Sequence, residues 1–400
     1  MLKQLSNKIF INLGTNFFEI AHMESKTEIK ERFHNLFVNK KTDCANTVYM
    51  NPVAQYTDLD RFNQEKEEIF KNQPICIGIS SLIPNVGDWF TVEVVGYPIL
   101  LVRDKENKIN AYLNICSHRG AKLAEGKGNT VKAFKCPYHS WTYSLNGELL
   151  SRPRENLFNE IPKNKCDLKS IELREQYGLL WILLSKKAVK ESNKYFKELD
   201  VLIDHYDFNS LYHYKTGIMK PNINWKLGVD TFLELYHVTH LHPDTLSDIL
   251  KGDTCLFDKY GRHMRIIGPR KSLVESKANI LQIENIERHI INLKIIFPNT
   301  ILVDHEEHME LWHVLPEDSV NKCRVSISLF TKVPYKTDSE IRHWENNFQL
   351  LKDVVEEEDF PLGEGVQKGF SADKKRNIIF GKNEPGLQHF HKNIDKFLSD

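Results

Sequence analysis

The chain's 400 residues suit two domains of ordinary size, and an apolar fraction of 41% can fill a sizeable core. Lys plus Arg number 54 against 54 Asp plus Glu, so there is no broad positive field of the kind that non-specific nucleic-acid binding requires. No stretch reaches the length of a membrane-spanning helix, and Asn12, Gly14, Thr15 and Asn16 interrupt the first apolar run, so neither a span nor a secretory signal is expected and the expected location is cytoplasmic.

Residues 1–45 carry no motif, and a charged stretch from Glu24 to Arg32 has helical character. Asp58 to Asn72 reads as a short amphipathic helix, with Leu59, Phe62 and Ile69 apolar among charges. Strand texture begins at Trp89. A break at Gly96–Tyr97–Pro98 divides Trp89 to Val102 into a hairpin, and Lys108 to Ile115 and Val131 to Lys135 continue the series. Trp141 to Leu150 is a second hairpin, turned at Asn146–Gly147, and Tyr177 to Leu184 is an apolar strand that closes the region.

A charged helical stretch after Lys186 leads to a strand over Leu211 to Lys220. One helix is predicted from Asn224 to His242, stopped by Pro243. Strands follow over Ile290 to Val303, Met309 to Leu315 and Cys323 to Phe330, then a long helix over Ser339 to Glu358 and a last one over Gly386 to Leu398. Strands packed with long helices on one side make an α+β protein. The expected division is an N-terminal extension (1–45), an antiparallel β domain with its preceding helix (46–185) and a second domain (186–400).

Seven cysteines, an odd number scattered along the chain, argue against a disulfide framework. Cys44, Cys76, Cys166, Cys255 and Cys323 read as reduced thiols serving as small apolar residues. Cys116 and Cys136 differ, because each has a histidine at ligand spacing. Cys116–Ser117–His118–Arg119–Gly120 is followed by Cys136–Pro137–Tyr138–His139–Ser140–Trp141, so each half supplies one thiolate and one imidazole. Structural zinc is the alternative, but the common finger pairs Cys with Cys and His with His. Interleaved pairs suit a [2Fe–2S] cluster that holds one iron on two thiolates and the other on two imidazoles.

A second group is dense in imidazoles and carboxylates: Asp230, Glu234, His237, His240 and His242. Glu234 and His237 share a helical face, as do His237 and His240. His237 and His242 are five apart and point away from each other on a regular helix, so they can share a metal only if the helix loosens or ends between them. Spacing alone therefore leaves His240 as a rival.

The first run closely resembles the Rieske motif, C-x-H then C-x-x-H, with Ser140 where a Gly is often found. Asn224–Trp225–Lys226 with Glu234–Leu235–Tyr236–His237 and His242 resembles the catalytic motif of the α subunits of Rieske non-haem iron (ring-hydroxylating) oxygenases. Glu358–Asp359 through Glu364, Val366, Gln367 and Gly369 resembles that family's E-D-x(4)-E-x-V-Q-x-G stretch. The similarity runs from about Tyr56 to Phe397.

The resemblance implies an antiparallel Rieske domain followed by a helix-grip catalytic domain. The cluster would sit on Cys116, His118, Cys136 and His139. A mononuclear Fe(II) would sit on His237, His242 and Asp359, with Glu358 the runner-up for the carboxylate. It further implies a head-to-tail homotrimer in which Glu234 links one subunit's iron ligand His237 to a neighbour's His139, with Asp230 the alternative bridge. Electrons would come from a flavin-containing reductase, with or without a ferredoxin, and oxygen from O₂ would enter a small organic substrate. Aromatic-ring dioxygenation is the first expectation. Monooxygenation or demethylation of a quaternary ammonium compound is the alternative, and Trp225, Phe232, Tyr236 and Trp312 could form a pocket for either. A Rieske electron carrier without oxygenase activity is the alternative of another class.

Overall fold

The computed structural model describes residues 26–203 and 206–399. Part of the charged N-terminal stretch falls outside these residues. The remainder begins the helix Lys26–Asn39, which seats Ile29 and Phe33 among Leu256, Ile267 and Leu273. Arg32 of this helix bonds Asp258 at 2.8 Å and Asp43 at 2.6 Å. Just beyond the helix, Asp43 N–H donates to the Cys255 carbonyl, while Thr42 Oγ1 and Asp43 Oδ2 accept from the N–H groups of Cys255 and Phe257.

The N-terminal half is built on a seven-stranded sheet in the order Ile75–Ile79, Leu179–Leu183, Ser170–Gln176, Ile109–Leu113, Tyr97–Arg103, Asp88–Val94, Lys127–Asn129. A three-stranded sheet, Phe134–Lys135, Thr142–Tyr143 and Leu149–Ser151, stands beside it and contains the predicted Asn146–Gly147 hairpin. The C-terminal half is built on a second seven-stranded sheet, antiparallel throughout. Its order is Tyr212–Met219, Cys323–Thr331, His308–Pro316, Thr300–Asp304, Ile290–Ile296, His263–Pro269, Leu256–Tyr260. The helix Asp338–Asp353 lays Trp344 against His308 and Phe348 against Gly217 of this sheet. The helix Pro385–Ser399 buries Phe390 against Trp225 and Phe297.

Three expectations need correction. The run Ile290 to Val303 is two strands, Ile290–Ile296 and Thr300–Asp304, paired with each other; Phe297–Pro298 makes the turn, and a proline cannot supply the N–H that a continuous strand would need. The predicted helix over Asn224 to His242 is two short helices, Trp225–Asp230 and Val238–Leu241, separated by tight turns. Cys44 is exposed, unlike the other four cysteines with which it was grouped.

The helix before the N-terminal sheet is anchored on the C-terminal half. Tyr49–Pro52 pairs with Asn377–Phe380, and Tyr56 Oη bonds Asp230 at 2.6 Å. Glu65, at the end of Leu59–Glu65, has no solvent exposure and binds Lys226 Nζ at 2.6 Å and Trp225 Nε1 at 2.8 Å. Without Lys226 the buried Glu65 carboxylate keeps only the Trp225 N–H and a longer contact to Arg61 Nε at 3.3 Å. Lys226→Met should therefore cost about 3–5 kcal/mol in denaturant unfolding, and adding Glu65→Leu should recover most of the loss.

Candidate metal centres

The first group sits on two loops of matching conformation. In one, Gly120 N–H donates to the Cys116 carbonyl at 2.9 Å and Cys116 N–H to the Ala121 carbonyl at 2.8 Å. In the other, Ser140 N–H donates to the Cys136 carbonyl at 3.0 Å and Cys136 N–H to the Trp141 carbonyl at 2.8 Å. Each loop closes through a left-handed residue, Gly120 at φ 77° and Ser140 at φ 61°. Each then sends its Cys and His the same way. The two Nδ1 atoms of His118 and His139 converge to 3.1 Å.

Both cysteines are buried and free, whereas both imidazoles are half-exposed. His118 stacks on Trp141 at 4.9 Å, and Tyr143 Oη lies 3.3 Å from Cys116 Sγ. Two thiols on the inside and two converging imidazole nitrogens on the outside form the donor set that a [2Fe–2S] cluster with unlike irons takes. The group fits.

Ser140 carries a Cβ where the backbone favours glycine, at a cost of roughly 1–2 kcal/mol. Ser140→Gly should therefore leave the donor set unchanged and raise stability by up to about 1 kcal/mol in guanidinium unfolding, the gain being reduced by the freer unfolded chain.

The second group lies where the helix from Asn224 breaks. Asn224 caps Trp225–Asp230 by accepting from Lys226 N–H, and its own N–H donates to Gln367 at 2.9 Å. After the turns, His237 starts Val238–Leu241 and His242 ends it, with φ −113° and ψ 48° outside the helical region. The non-helical end is what lets the two imidazoles face one another, 5.4 Å between ring centroids.

The carboxylate comes from far along the chain. Helix Asp338–Asp353 widens into a π-helical stretch, Val354–Asp359, whose last residue is Asp359. One oxygen, Asp359 Oδ1, lies 3.4 Å from His242 Nε2 and 3.9 Å from His237 Nε2. One ligand atom from each of the three residues falls within 4.8 Å of the others. His242 Nε2 is buried and, among the described residues, makes no hydrogen bond. Such an orphaned nitrogen, aimed beside a carboxylate and a second imidazole, is what a site for two-histidine, one-carboxylate iron requires, with the opposite face left open. This group fits too.

The other ring nitrogens are held from behind. His237 Nδ1 bonds Glu234 Oε1, and Glu234 Oε2 also accepts from the His237 backbone N–H at 3.0 Å. His242 Nδ1 bonds Glu358 Oε2 at 2.6 Å, and Thr245 Oγ1 supports the same oxygen at 3.1 Å. Bonds of this kind fix tautomer and ring orientation. Burial disfavours charge on His242, but Asp359 and Glu358 outweigh it and raise its pKa. Glu358, the runner-up ligand, thus stands behind His242 rather than between the histidines. His240 stands apart, edge-on to exposed Tyr236. Asp230 is turned inward to Tyr56 and His391, away from any bridging position.

A cavity of about 190 Å³ opens onto His237, His242 and Asp359. Phe232 and Trp312 line it, their rings 5.1 Å apart. The other two residues of the predicted aromatic pocket do not line it: Trp225 is core, and Tyr236 is exposed. Arg270, His305, His308 and Glu310 also line the cavity. None of these four belongs to the motifs above, although His305, His308 and Glu310 fall in one short run, His305–Glu306–Glu307–His308–Met309–Glu310, whose density of imidazoles and carboxylates is a signal; Arg270 lies apart from it.

Both halves of the chain match known domain families. The family model for the Rieske [2Fe-2S] domain matches residues 73–163, and that for the ring hydroxylating alpha subunit (catalytic domain) matches residues 208–400. The carnitine monooxygenase oxygenase subunit of Escherichia coli K12 is 28% identical over 382 residues, spanning 91% of this chain and 98% of that protein. The glycine betaine monooxygenase oxygenase subunit of Pseudomonas aeruginosa PAO1 is 28% identical over 202 residues, 50% of this chain and 47% of that one.

Among solved structures, a quaternary ammonium Rieske monooxygenase in complex with L-carnitine superposes with a TM-score of 0.73 at 21% identity, covering 89% of this chain and 96% of that one. Naphthalene 1,2-dioxygenase from Rhodococcus sp. gives 0.71 at 19% identity, covering 94% and 100%. At such identities the superpositions speak for the fold.

The chain belongs to the Rieske non-haem iron oxygenases, as an α-type catalytic subunit. It is an oxidoreductase that uses O₂, with a [2Fe–2S] cluster and a mononuclear iron as cofactors, and it works with a reductase and as a multimer. Among the described residues no helix is long and apolar enough to cross a membrane.

Proposed function

We propose that this subunit monooxygenates a small quaternary ammonium compound. The similarity to a carnitine monooxygenase subunit along nearly the full length of both chains carries this reading. Phe232 and Trp312 at the cavity wall are compatible with it, since aromatic faces attract a cation that cannot donate hydrogen bonds. Aromatic-ring dioxygenation, the first expectation from sequence, has less support: the 2-aminobenzenesulfonate 2,3-dioxygenase α subunit matches over only 50% of this chain.

In this reading residues 46–185 form the Rieske unit with its preceding helix, and residues 186–400 the catalytic unit. Cys116, His118, Cys136 and His139 hold the cluster. His237, His242 and Asp359 hold the iron, which when bound supplies the O₂ chemistry. The chain's own residues do the positioning. Glu234 and Glu358 set the two imidazoles, the apolar wall excludes water, and the half-exposed His139 is available to a neighbouring copy. A head-to-tail homotrimer would bring His139 against Glu234 of the next subunit, with electrons delivered by a flavin-containing reductase, directly or through a ferredoxin.

Oxygen-uptake measurements with ¹⁸O₂ on the reductase-reconstituted protein test the activity. Trimethylammonium compounds should stimulate uptake and yield a product with one labelled oxygen. Two labelled oxygens in a ring diol from an aromatic acid would overturn the reading.

Metal analysis tests the roles. Asp359→Ala should lose the mononuclear iron while keeping two irons and inorganic sulfide per chain. Glu234→Gln should retain all the iron and the cluster absorbance, yet fall at least ~100-fold in coupled turnover, as expected where a carboxylate that orients a ligand is neutralised. Full iron occupancy in the first variant, or wild-type turnover in the second, would remove the assignment.

A further inference from the structure

The wall of the same cavity carries a polar cluster that the metal chemistry does not use. Arg270 Nη2 lies 2.8 Å from His305 Nδ1, and His305 Nε2 lies 2.8 Å from Glu310 Oε1. A guanidinium can only donate, so His305 Nδ1 accepts and its proton sits on Nε2, facing Glu310. Trp312 Nε1 donates to Glu310 Oε2 at 2.8 Å, so both oxygens of this buried carboxylate are engaged. Burial favours the neutral acid, but the two imidazoles of His305 and His308 prevail and hold its pKa far below the ordinary carboxylate value.

His305, His308 and Glu310 place ligand atoms within 4.8 Å of one another, a spacing a cation could use. The neighbouring guanidinium argues against that use. It fills one lone pair of His305, fixes the proton on the nitrogen that would have to bind, and adds positive charge.

The unused hydrogen-bonding capacity of the cluster is on Arg270. Its Nε donates to the Ile290 carbonyl at 3.2 Å and its Nη2 to His305, which leaves most of its five N–H donors without a partner. Among the described residues no carboxylate lies within 4.0 Å of it. A half-buried guanidinium with no carboxylate bonded to it, reached by the charges of Glu310 and Glu306 only at longer range and lining a cavity whose walls are otherwise largely apolar, is a donor site open to an anion. Its planar fork matches two oxygens of one group.

We propose that Arg270 binds a carboxylate carried by the substrate, at the end remote from the carbon that is oxidised. His305 and Glu310 act as positioning residues that set the angle of the guanidinium. The inference rests on this cavity being the substrate site, and it narrows the proposed substrate to one with an apolar or methylated body and a terminal anion.

Calorimetric binding to the metal-loaded full chain under nitrogen tests it, with two matched pairs of probes. One pair is 4-(trimethylammonio)butanoate and its methyl ester; the other is benzoate and methyl benzoate. The wild type should bind the acid of one pair at least ~10-fold more tightly than its ester, as a charge-assisted bond in a desolvated site implies. Arg270→Gln should bring that ratio close to one, and Arg270→Lys should give an intermediate ratio. The Lys variant carries the test if the Gln variant does not fold.

Acid preference in the quaternary pair supports both this inference and the proposed function. Preference in the benzoate pair while neither quaternary probe binds supports Arg270 and overturns the quaternary ammonium reading. Quaternary probes bound without preference leave that reading standing and overturn this one. A ratio unchanged by both substitutions, or no binding of either acid, also overturns it.

Discussion

Glu65 and Lys226 share a charge pair that water does not reach, and the position of the iron-binding segment follows from it. Placing two ions in a core is expensive, and the cost is tolerable only when every oxygen and proton is matched. Here one carboxylate takes the ammonium and the indole N–H of adjacent residues, Lys226 and Trp225, so the start of the segment is fixed in both direction and rotation. Asn224, bonded to Gln367, ties the same point to the helix that follows Asp359. Five residues further, Asp230 is held by Tyr56 and His391. The segments that carry Tyr56 and Glu65, Gln367, and His391 are thereby locked to this stretch before His237 is reached.

With that frame rigid, irregular backbone can be concentrated where the ligands are. A regular helix would have pointed His242 away from His237, and a regular helix through Val354–Asp359 would have rotated Asp359 relative to Glu358 differently. The broken helix and the π-stretch each place one residue toward the shared point and leave its neighbour behind to support it. Departures from ideal geometry at functional sites persist when the surroundings over-determine them, and the buried network supplies that condition.

The two sites differ in how much of them could be read from sequence. The cluster-type donors lie within two short runs whose loops obey local rules, so spacing and residue type were nearly sufficient; within these two loops Ser140 is where the backbone favours a glycine that the chain does not have. For the second site, five-residue spacing said only that the helix must fail between His237 and His242, and it left His240 open. Asp359 and Glu358 are neighbours in an acidic run, and only the fold, which turns Glu358 to His242 Nδ1 and Asp359 toward both Nε2 atoms, separates their roles. His305 and Glu310 stand close together in one run of imidazoles and carboxylates, but Arg270 is thirty-five residues from His305, so only the fold brings the guanidinium to that run. The turn at Phe297–Pro298 was hidden by the apolar residues on either side of it.

The N-terminal helix has one more consequence. Leu256–Tyr260 is one of the two edge strands of the catalytic sheet, and among the described residues no further strand pairs beyond it. Thr42 and Asp43 occupy its outward N–H and C=O groups at Cys255 and Phe257, and Arg32 clamps them there through Asp43 and Asp258. An uncovered sheet margin is a template for adhesion between molecules. The segment around residues 26–43 therefore shields the catalytic sheet from self-association, and shields it with charges rather than with another strand.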